Sequence, residues 1–190
     1  MSGAACAVTL VATPGTSNLT LLDHYRQRRR LLADAVVYQR GPTAVRYPSG
    51  PAPQHIPAFG SLDSADLLTA PQPDTDVLLV AVGALAPAAL EAAAILRGDG
   101  VRAAVVDPVW IAPVNPALSR AATEYRLVVT VEDNAAPGGF GDAFARSLRA
   151  GGHLTALLTL ALRDGFADMG EALSSLMRVS GSVIGQTRYR

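Results

Sequence analysis

The fold is decided by residues 76–106, which read DVLLVAVGALAPAALEAAAILRGDGVRAAVV. The run Val77–Val82 is apolar from end to end and has the length of a buried strand. The alanine-rich stretch Pro87–Arg97 then has helical spacing and ends at a glycine. A second run of strand length, Val101–Val106, follows and is apolar except for Arg102. Apolar strands that alternate with helices predict parallel strands that are covered on both faces.

The same alternation continues toward the C-terminus. It predicts strands at Leu127–Val131 and within Leu154–Leu162, and helices at Pro116–Tyr125, Gly139–Arg149 and Met169–Arg178. Crossovers between parallel strands are right-handed because of chain chirality. The expected fold class is therefore α/β, a three-layer sandwich with a mainly parallel sheet.

The N-terminal part of the sequence has a different pattern of apolar and polar residues. Residues 1–50 predict a strand at Ala7–Ala12, a helix from about Leu19 to Val37 and a further strand. Residues 51–75 are rich in proline and predict a linker, so residues 76–190 form the main domain.

The predicted N-terminal helix begins after Asn18, a suitable N-cap, and carries an apolar patch. A strand and a helix cannot cover both of their apolar faces without further elements. This segment therefore packs on the main domain, stays mobile or meets another chain, and we favour the last. The patch consists of Leu21, Leu22, Leu31, Leu32 and Val36.

Composition excludes several classes of function. Sixteen basic and sixteen acidic residues balance, which argues against a nucleic-acid-binding protein. Every basic residue is an arginine, so no lysine can form a Schiff base. One cysteine and three scattered histidines predict neither a disulfide nor a metal site. No apolar run has the length of a membrane span, and the N-terminus lacks the basic flank of a signal peptide, which indicates a cytoplasmic protein.

One motif imitates a cofactor site. The sequence Gly98-Asp99-Gly100, followed by Asn134, resembles the pattern in which a carboxylate and an amide oxygen hold Mg²⁺ for thiamine diphosphate. Ligands of an open α/β sheet gather at the carboxyl ends of the strands. Here the first part lies between a helix and the strand that follows it, at the amino end. We interpret it as a simple turn.

Polar and glycine residues after the third predicted strand form the second candidate site. Glu132, Asp133 and Asn134 lie where functional groups gather in such folds. Two adjacent carboxylates suit a cation, but bonding the loop amides is the role we favour. The glycines Gly138, Gly139 and Gly141 then open a helix, either as a phosphate cradle or, as we favour, as a tight loop with close helix packing.

Five stretches carry a family resemblance. They are GPTAVRYPSG (41–50), TDVLLVAVGALAP (75–87), VVDPVWIAPV (105–114), LVVTVEDN (127–134) and GGFG (138–141). Their order and spacing resemble the C-terminal third of the 1-deoxy-D-xylulose-5-phosphate synthases, which are thiamine-diphosphate enzymes of the transketolase superfamily.

The resemblance extends from about Val8 to Met169 and implies which domains of the family this chain contains. Residues 1–50 correspond to the end of a pyrimidine-binding domain, and residues 76–190 correspond to a transketolase-type C-terminal domain. The cofactor domain and the family's catalytic residues lie outside this stretch. The resemblance therefore implies no catalytic residue and no metal ligand in this chain, with thiamine diphosphate and Mg²⁺ held only through a partner.

Two positions depart from the family pattern. Ser49 stands where the family has a basic residue that grips the substrate phosphate, and a serine supplies no charge. Val109 likewise replaces a basic residue that follows the Asp-Pro pair. Arg46 matches the family's preceding arginine, which we interpret as a structural residue at the domain junction.

Two functions follow from this resemblance. In the first, the chain is a part or subunit of a synthase that condenses pyruvate with glyceraldehyde 3-phosphate for isoprenoid precursor synthesis, and it is not catalytic alone. In the second, it is a non-catalytic remnant or a protein-interaction module with the same fold. Its partners are then a cofactor-domain subunit or a second copy of itself, and neither nucleic acid nor a membrane.

Overall fold

The computed structural model describes residues 18–21, 33, 36–37, 43–46 and 56–162. Nine strands and three α-helices have bounds in these ranges. The strands are β1 (Asn18–Leu21), β2 (Thr43–Arg46), β3 (Gly60–Leu62), β4 (Ala65–Leu67), β5 (Val77–Ala81), β6 (Ala103–Asp107), β7 (Trp110–Ala112), β8 (Leu127–Ala135) and β9 (Leu157–Leu162). The helices are α1 (Ala86–Gly98), α2 (Pro116–Ala121) and α3 (Phe140–Ala150).

The main sheet has six strands in the order β3-β4-β6-β5-β8-β9. The four long strands are parallel: Val77 of β5 lies between Ala103 of β6 and Leu127 of β8, and Val128 lies beside Leu157 of β9. The predicted mainly parallel sheet is confirmed, with a strand at each of the four predicted places.

Helices cover both faces of this sheet, as a three-layer sandwich requires. On one face, Leu79 and Val129 pack with Ala89 and Ala93 of α1. On the other face, the core joins alternate sheet residues to α2 and α3. That core includes Leu78, Val80, Val106, Val128, Leu118, Phe144 and Leu148. The fold class predicted from the sequence is confirmed.

The stretch predicted as a linker contributes to the sheet. Strands β3 and β4 form a hairpin whose turn places Asp63 at a φ of 57°, and β4 pairs antiparallel with β6 through Asp66 and Asp107. Ala65 and Leu68 are buried. Residues 60–67 of the predicted linker 51–75 are thus paired in the main sheet, and strands of three residues are too short to leave a periodic pattern in the sequence.

The N-terminal strands form a second sheet with the main domain. The order is β2-β1-β7: β1 is parallel to β2 and antiparallel to β7, where Thr20 lies opposite Trp110. The predicted helix start near Leu19 is wrong, because residues 18–21 are extended. Thr20 is β-branched, and β-branched residues favour strands. Strand β7 also offers an edge with which β1 pairs. Part of the N-terminal segment thus packs on the main domain of the same chain.

Two predicted elements lie outside the described residues, namely the strand Ala7–Ala12 and the helix Met169–Arg178. Ala33, Val36 and Val37 are helical, as predicted for the end of the N-terminal helix. Among the described residues, no helix has the length and apolarity needed to cross a bilayer.

Candidate functional site

The polar cluster at the carboxyl end of β8 lies in an irregular stretch of strand. Val131 pairs with Leu160 and Ala135 pairs with Leu162, so three residues on β8 lie opposite one on β9. Such a bulge bends a strand and turns its side chains in new directions. The three residues of β8 within this bulge are Glu132, Asp133 and Asn134, the candidate site residues predicted from the sequence.

Glu132 is the buried member of the cluster, with 1% of its surface exposed. Its Oε2 accepts the backbone N–H of Phe140 at 2.7 Å, and its Oε1 accepts that of Gly141 at 2.8 Å. The side-chain amide of Asn134 also donates to Oε2, at 3.3 Å. The carboxylate therefore caps α3 from a neighbouring strand and satisfies two N–H groups that a helix end leaves open.

Two opposing effects act on this carboxyl group. Burial raises the pKa of Glu132 above the ordinary value for a glutamate. The hydrogen bonds from Gly141, Phe140 and Asn134 favour the charged form and lower the pKa, while the neighbouring charge of Asp133 raises it slightly. The net direction is upward.

The glycines let α3 lie directly on the sheet. A Cβ atom on Gly141 would lie 2.5 Å from Thr159 Cγ2 and 2.6 Å from Thr130 Oγ1. A Cβ atom on Gly139 would lie 2.6 Å from Glu132 Oε2. All three distances are shorter than van der Waals contact. These two glycines are required for close packing of the helix end.

The remaining loop amides are also occupied within the chain. Gly138, at a φ of 76°, donates its N–H to Asp142 Oδ2 at 3.2 Å, and Gly139 donates to the carbonyl of Ala136. Asp142 also pairs with Arg146, and these contacts lower the pKa of its carboxyl group. The N–H groups that a phosphate would need are thus bonded internally, which favours the tight-loop interpretation.

The thiamine-type motif divides between two edges of the main sheet. Gly98 ends α1, and Gly100, at a φ of 81°, donates its N–H to Arg97 in the turn before β6. Asn134 lies seven residues beyond Leu127, the residue level with the start of β6. At about 3.3 Å per residue, roughly 20 Å of strand separates the two parts. They cannot hold one Mg²⁺ ion together.

The other cation arrangements receive no support either. Within residues 56–162 and the short described N-terminal ranges, no three Asp, Glu, His or Cys side chains are grouped as metal ligands.

The sequence also predicts two site residues in the N-terminal part, Arg46 and Ser49. Arg46 ends β2 in the second sheet, opposite Leu21 of β1. Ser49 lies outside the described residues. The structure thus brings together Glu132, Asn134 and the glycines, and places Arg46 on a different sheet.

One buried polar residue was missed by the sequence reasoning. Asn115 caps α2: its Oδ1 accepts the N–H of Ala117 at 2.8 Å, and its amide donates to the carbonyl of Leu62 at 2.8 Å and to Ser64 Oγ at 3.4 Å. The pair Asn115-Pro116 is a helix-start signal that was available in the sequence. Its second task, which is to hold the β3–β4 hairpin, depends on the tertiary fold.

Comparison with known proteins identifies the family. The family described as "Transketolase, C-terminal domain" matches residues 68–177, which is more than half of the chain. The chain belongs to this transketolase C-terminal domain family. The resemblance predicted from the five sequence stretches is confirmed at this level.

Similar proteins with this domain are 1-deoxy-D-xylulose-5-phosphate synthases. Synthase 1 of Kitasatospora griseola is 40% identical over 181 residues, which cover 94% of this chain and 28% of that protein. Synthase 2 of Streptomyces coelicolor is 47% identical over 127 residues, which cover 66% of this chain and 20% of that protein. The chain thus spans less than a third of the length of these relatives.

A solved structure shares the fold of this transketolase C-terminal domain. It is titled "Split gene transketolase, inactive beta4 tetramer" and matches with a TM-score of 0.71 and 23% identity. The match covers 87% of this chain and 57% of that one. At this identity the likeness establishes the fold alone.

Proposed function

We propose that this chain is the C-terminal part or subunit of a 1-deoxy-D-xylulose-5-phosphate synthase-like transferase, and that it has no turnover alone. The reaction is the condensation of pyruvate with glyceraldehyde 3-phosphate, with release of carbon dioxide, in the cytoplasm. The observation that carries this proposal is the 40% identity to one synthase over 94% of the chain, N-terminal strands included.

The geometry of the C-terminal domain supports a scaffolding role rather than a chemical one. The carboxylate of Glu132, a buried charged group at the carboxyl edge, is bonded to the amides of α3. Thiamine diphosphate supplies the electron sink of the reaction when it is bound, and it belongs to a partner that carries the cofactor domain. This chain contributes the pairing surface for that partner.

Titration calorimetry tests the first part of this proposal. Thiamine diphosphate with excess Mg²⁺ is titrated into the chain alone, and no measurable heat of binding is expected. Micromolar binding would contradict the assignment of the cofactor to a partner.

A second copy of this chain is the other partner that we propose. Ala33, Val36 and Val37 have the i, i+3, i+4 spacing of one helix face, and Val36 and Val37 are 83% and 72% exposed. An apolar helix face left open to water is typical of an interface. The fold relative titled as an inactive β4 tetramer is consistent with association of such chains.

Light scattering distinguishes self-association from a single chain in solution. The double substitution Val36→Glu and Val37→Glu should reduce the particle mass to that of one chain, whereas Ala94→Glu on the exposed side of α1 should leave it unchanged. An equal mass for all three proteins would contradict the interface.

The alternative is a non-catalytic remnant or an interaction module with the same fold. Ser49 favours it, because the chain lacks the basic residue that the family uses for the substrate phosphate. A complex that forms with a cofactor-domain partner but does not turn over would support this alternative.

A further inference from the structure

The two sheets of this chain meet at a two-residue turn that has an unusual backbone. Strand β6 of the main sheet ends at Asp107, and β7 of the second sheet begins at Trp110. Between them, Val109 has a φ of 60° and is 1% exposed. A β-branched residue in this left-handed region is a clear outlier and indicates that the surroundings hold it there.

Asp107 supplies the contact that holds the turn. Its carboxylate, 1% exposed, accepts the backbone N–H of Val109 through Oδ1 at 2.8 Å. The next amide, that of Trp110, donates to the carbonyl of Pro108 at 2.6 Å. Two successive N–H groups are thus bonded within the turn, and the direction in which β7 leaves the main sheet is set.

The strand that leaves this turn carries the N-terminal segment. Ile111 of β7 packs in the core beneath α2 and α3, while Trp110 and Ala112 lie opposite Thr20 and Leu19 of β1. Leu21, the next residue of β1, lies opposite Arg46 of β2. Strand β7 therefore connects the turn to β1, and β1 connects it to β2.

We infer that Asp107 is a positioning residue: it holds the Asp107–Val109 turn, and through β7 it places β1 and β2, with Arg46, against the main domain. This role concerns a joint within the chain and stands apart from the proposed function, since it holds whether or not a partner binds. The pairing of β5 with β8 and of β8 with β9 does not involve β7, although Asp107 itself ends β6 of the main sheet and lies opposite Asp66 of β4.

Hydrogen–deuterium exchange on the full chain tests this role. In Asp107→Ala, exchange of the backbone amides in residues 18–21 and 110–112 should accelerate by about tenfold or more, with β5 and β8 unchanged, because local opening is separate from global unfolding. Asp107→Asn retains an oxygen that can accept the Val109 N–H, and it should stay close to the wild type. Trp110, the single tryptophan, should shift its emission to longer wavelength in the alanine variant only.

Three results would overturn the inference. The first is unchanged exchange of β1 and β7 in Asp107→Ala. The second is equal acceleration in β5 and β8, which would make Asp107 a general stability residue. The third is loss of the folded main sheet in both variants.

Discussion

The Glu132 carboxylate on strand β8 accepts the backbone N–H of Gly141 in helix α3 at 2.8 Å, nine residues further along the chain. A helix end is thus capped by a buried side chain from the sheet on which it packs. The contact fixes α3 against β8, where the glycine-rich loop of this chain connects them. It also uses amides that a bound phosphate would otherwise need.

Removal of the Glu132 carboxylate should destabilise the protein. Glu132→Ala leaves two buried N–H groups without their acceptor, which costs about 2–4 kcal/mol of the free energy of unfolding. Glu132→Gln keeps one oxygen and should cost about 1–3 kcal/mol. Glu91→Ala, on the exposed side of α1, serves as the control and should stay within about 0.5 kcal/mol of the wild type. Urea denaturation measures all three, and a neutral Glu132→Ala would contradict the capping role.

A pair of glycine substitutions tests the close approach of α3. Gly141→Ala forces a methyl group against Thr130 and Thr159, and it should lower the free energy of unfolding by about 1–3 kcal/mol. Gly98→Ala is the matched control, because its Cβ would meet nothing within 4 Å. Alanine is a better helix former than glycine, so this control should gain up to about 1 kcal/mol. Equal effects at both positions would contradict the packing described for Gly141.

The dependence of stability on pH should reveal the raised pKa of Glu132. A carboxyl group with a raised folded-state pKa contributes fully below its unfolded value of about 4.3, and the contribution is lost as the pH rises through the folded-state pKa. The free energy of unfolding of the wild type, relative to Glu132→Gln, should therefore fall as the pH rises across this range. Urea titrations at several pH values measure it. A difference that grows with pH would mean that the amide hydrogen bonds outweigh burial.

The pKa of Asp142, in the same helix, is shifted in the opposite direction, so its contribution to stability should change with pH in the opposite sense. Its lowered pKa stabilises the fold above the unfolded value of an aspartate, and the contribution is lost as the pH falls through the lowered pKa. Relative to Asp142→Asn, the wild type should lose stability on acidification. Comparison of Glu132→Gln with Asp142→Asn therefore separates the stability contributed by the Glu132 cap of α3 from that contributed by the exposed ion pair between Asp142 and Arg146.

The main sheet could be predicted because its long strands appear in the sequence as short apolar runs. Val77–Ala81 is apolar throughout and Leu127–Val131 is apolar except for Thr130, so their burial on both faces follows from the sequence. The strands β3, β4 and β7 have three residues each, and their pairing is decided by partners far along the chain. The extended conformation of residues 18–21 is explained by the same cause, since pairing with β7 outweighs the helical spacing of the following residues.

The candidate site was predictable only in part. The position of Glu132, Asp133 and Asn134 at the carboxyl edge follows from the alternation of strands and helices. The clash that excludes a side chain at Gly141 depends on Thr159, which lies on another strand. The turn at Val109 depends on a backbone conformation that its residue type disfavours, and no sequence pattern indicates it.

Reconstitution tests the proposed function most directly. The chain is mixed with the separately produced N-terminal portion of the Kitasatospora griseola synthase 1, which carries the remaining length of that relative. With pyruvate, glyceraldehyde 3-phosphate, thiamine diphosphate and Mg²⁺, release of carbon dioxide is measured for each part and for the mixture. The proposal predicts turnover in the mixture and none from this chain alone. Turnover by this chain alone would contradict the proposal, and so would a mixture that binds but never exceeds the N-terminal portion by itself.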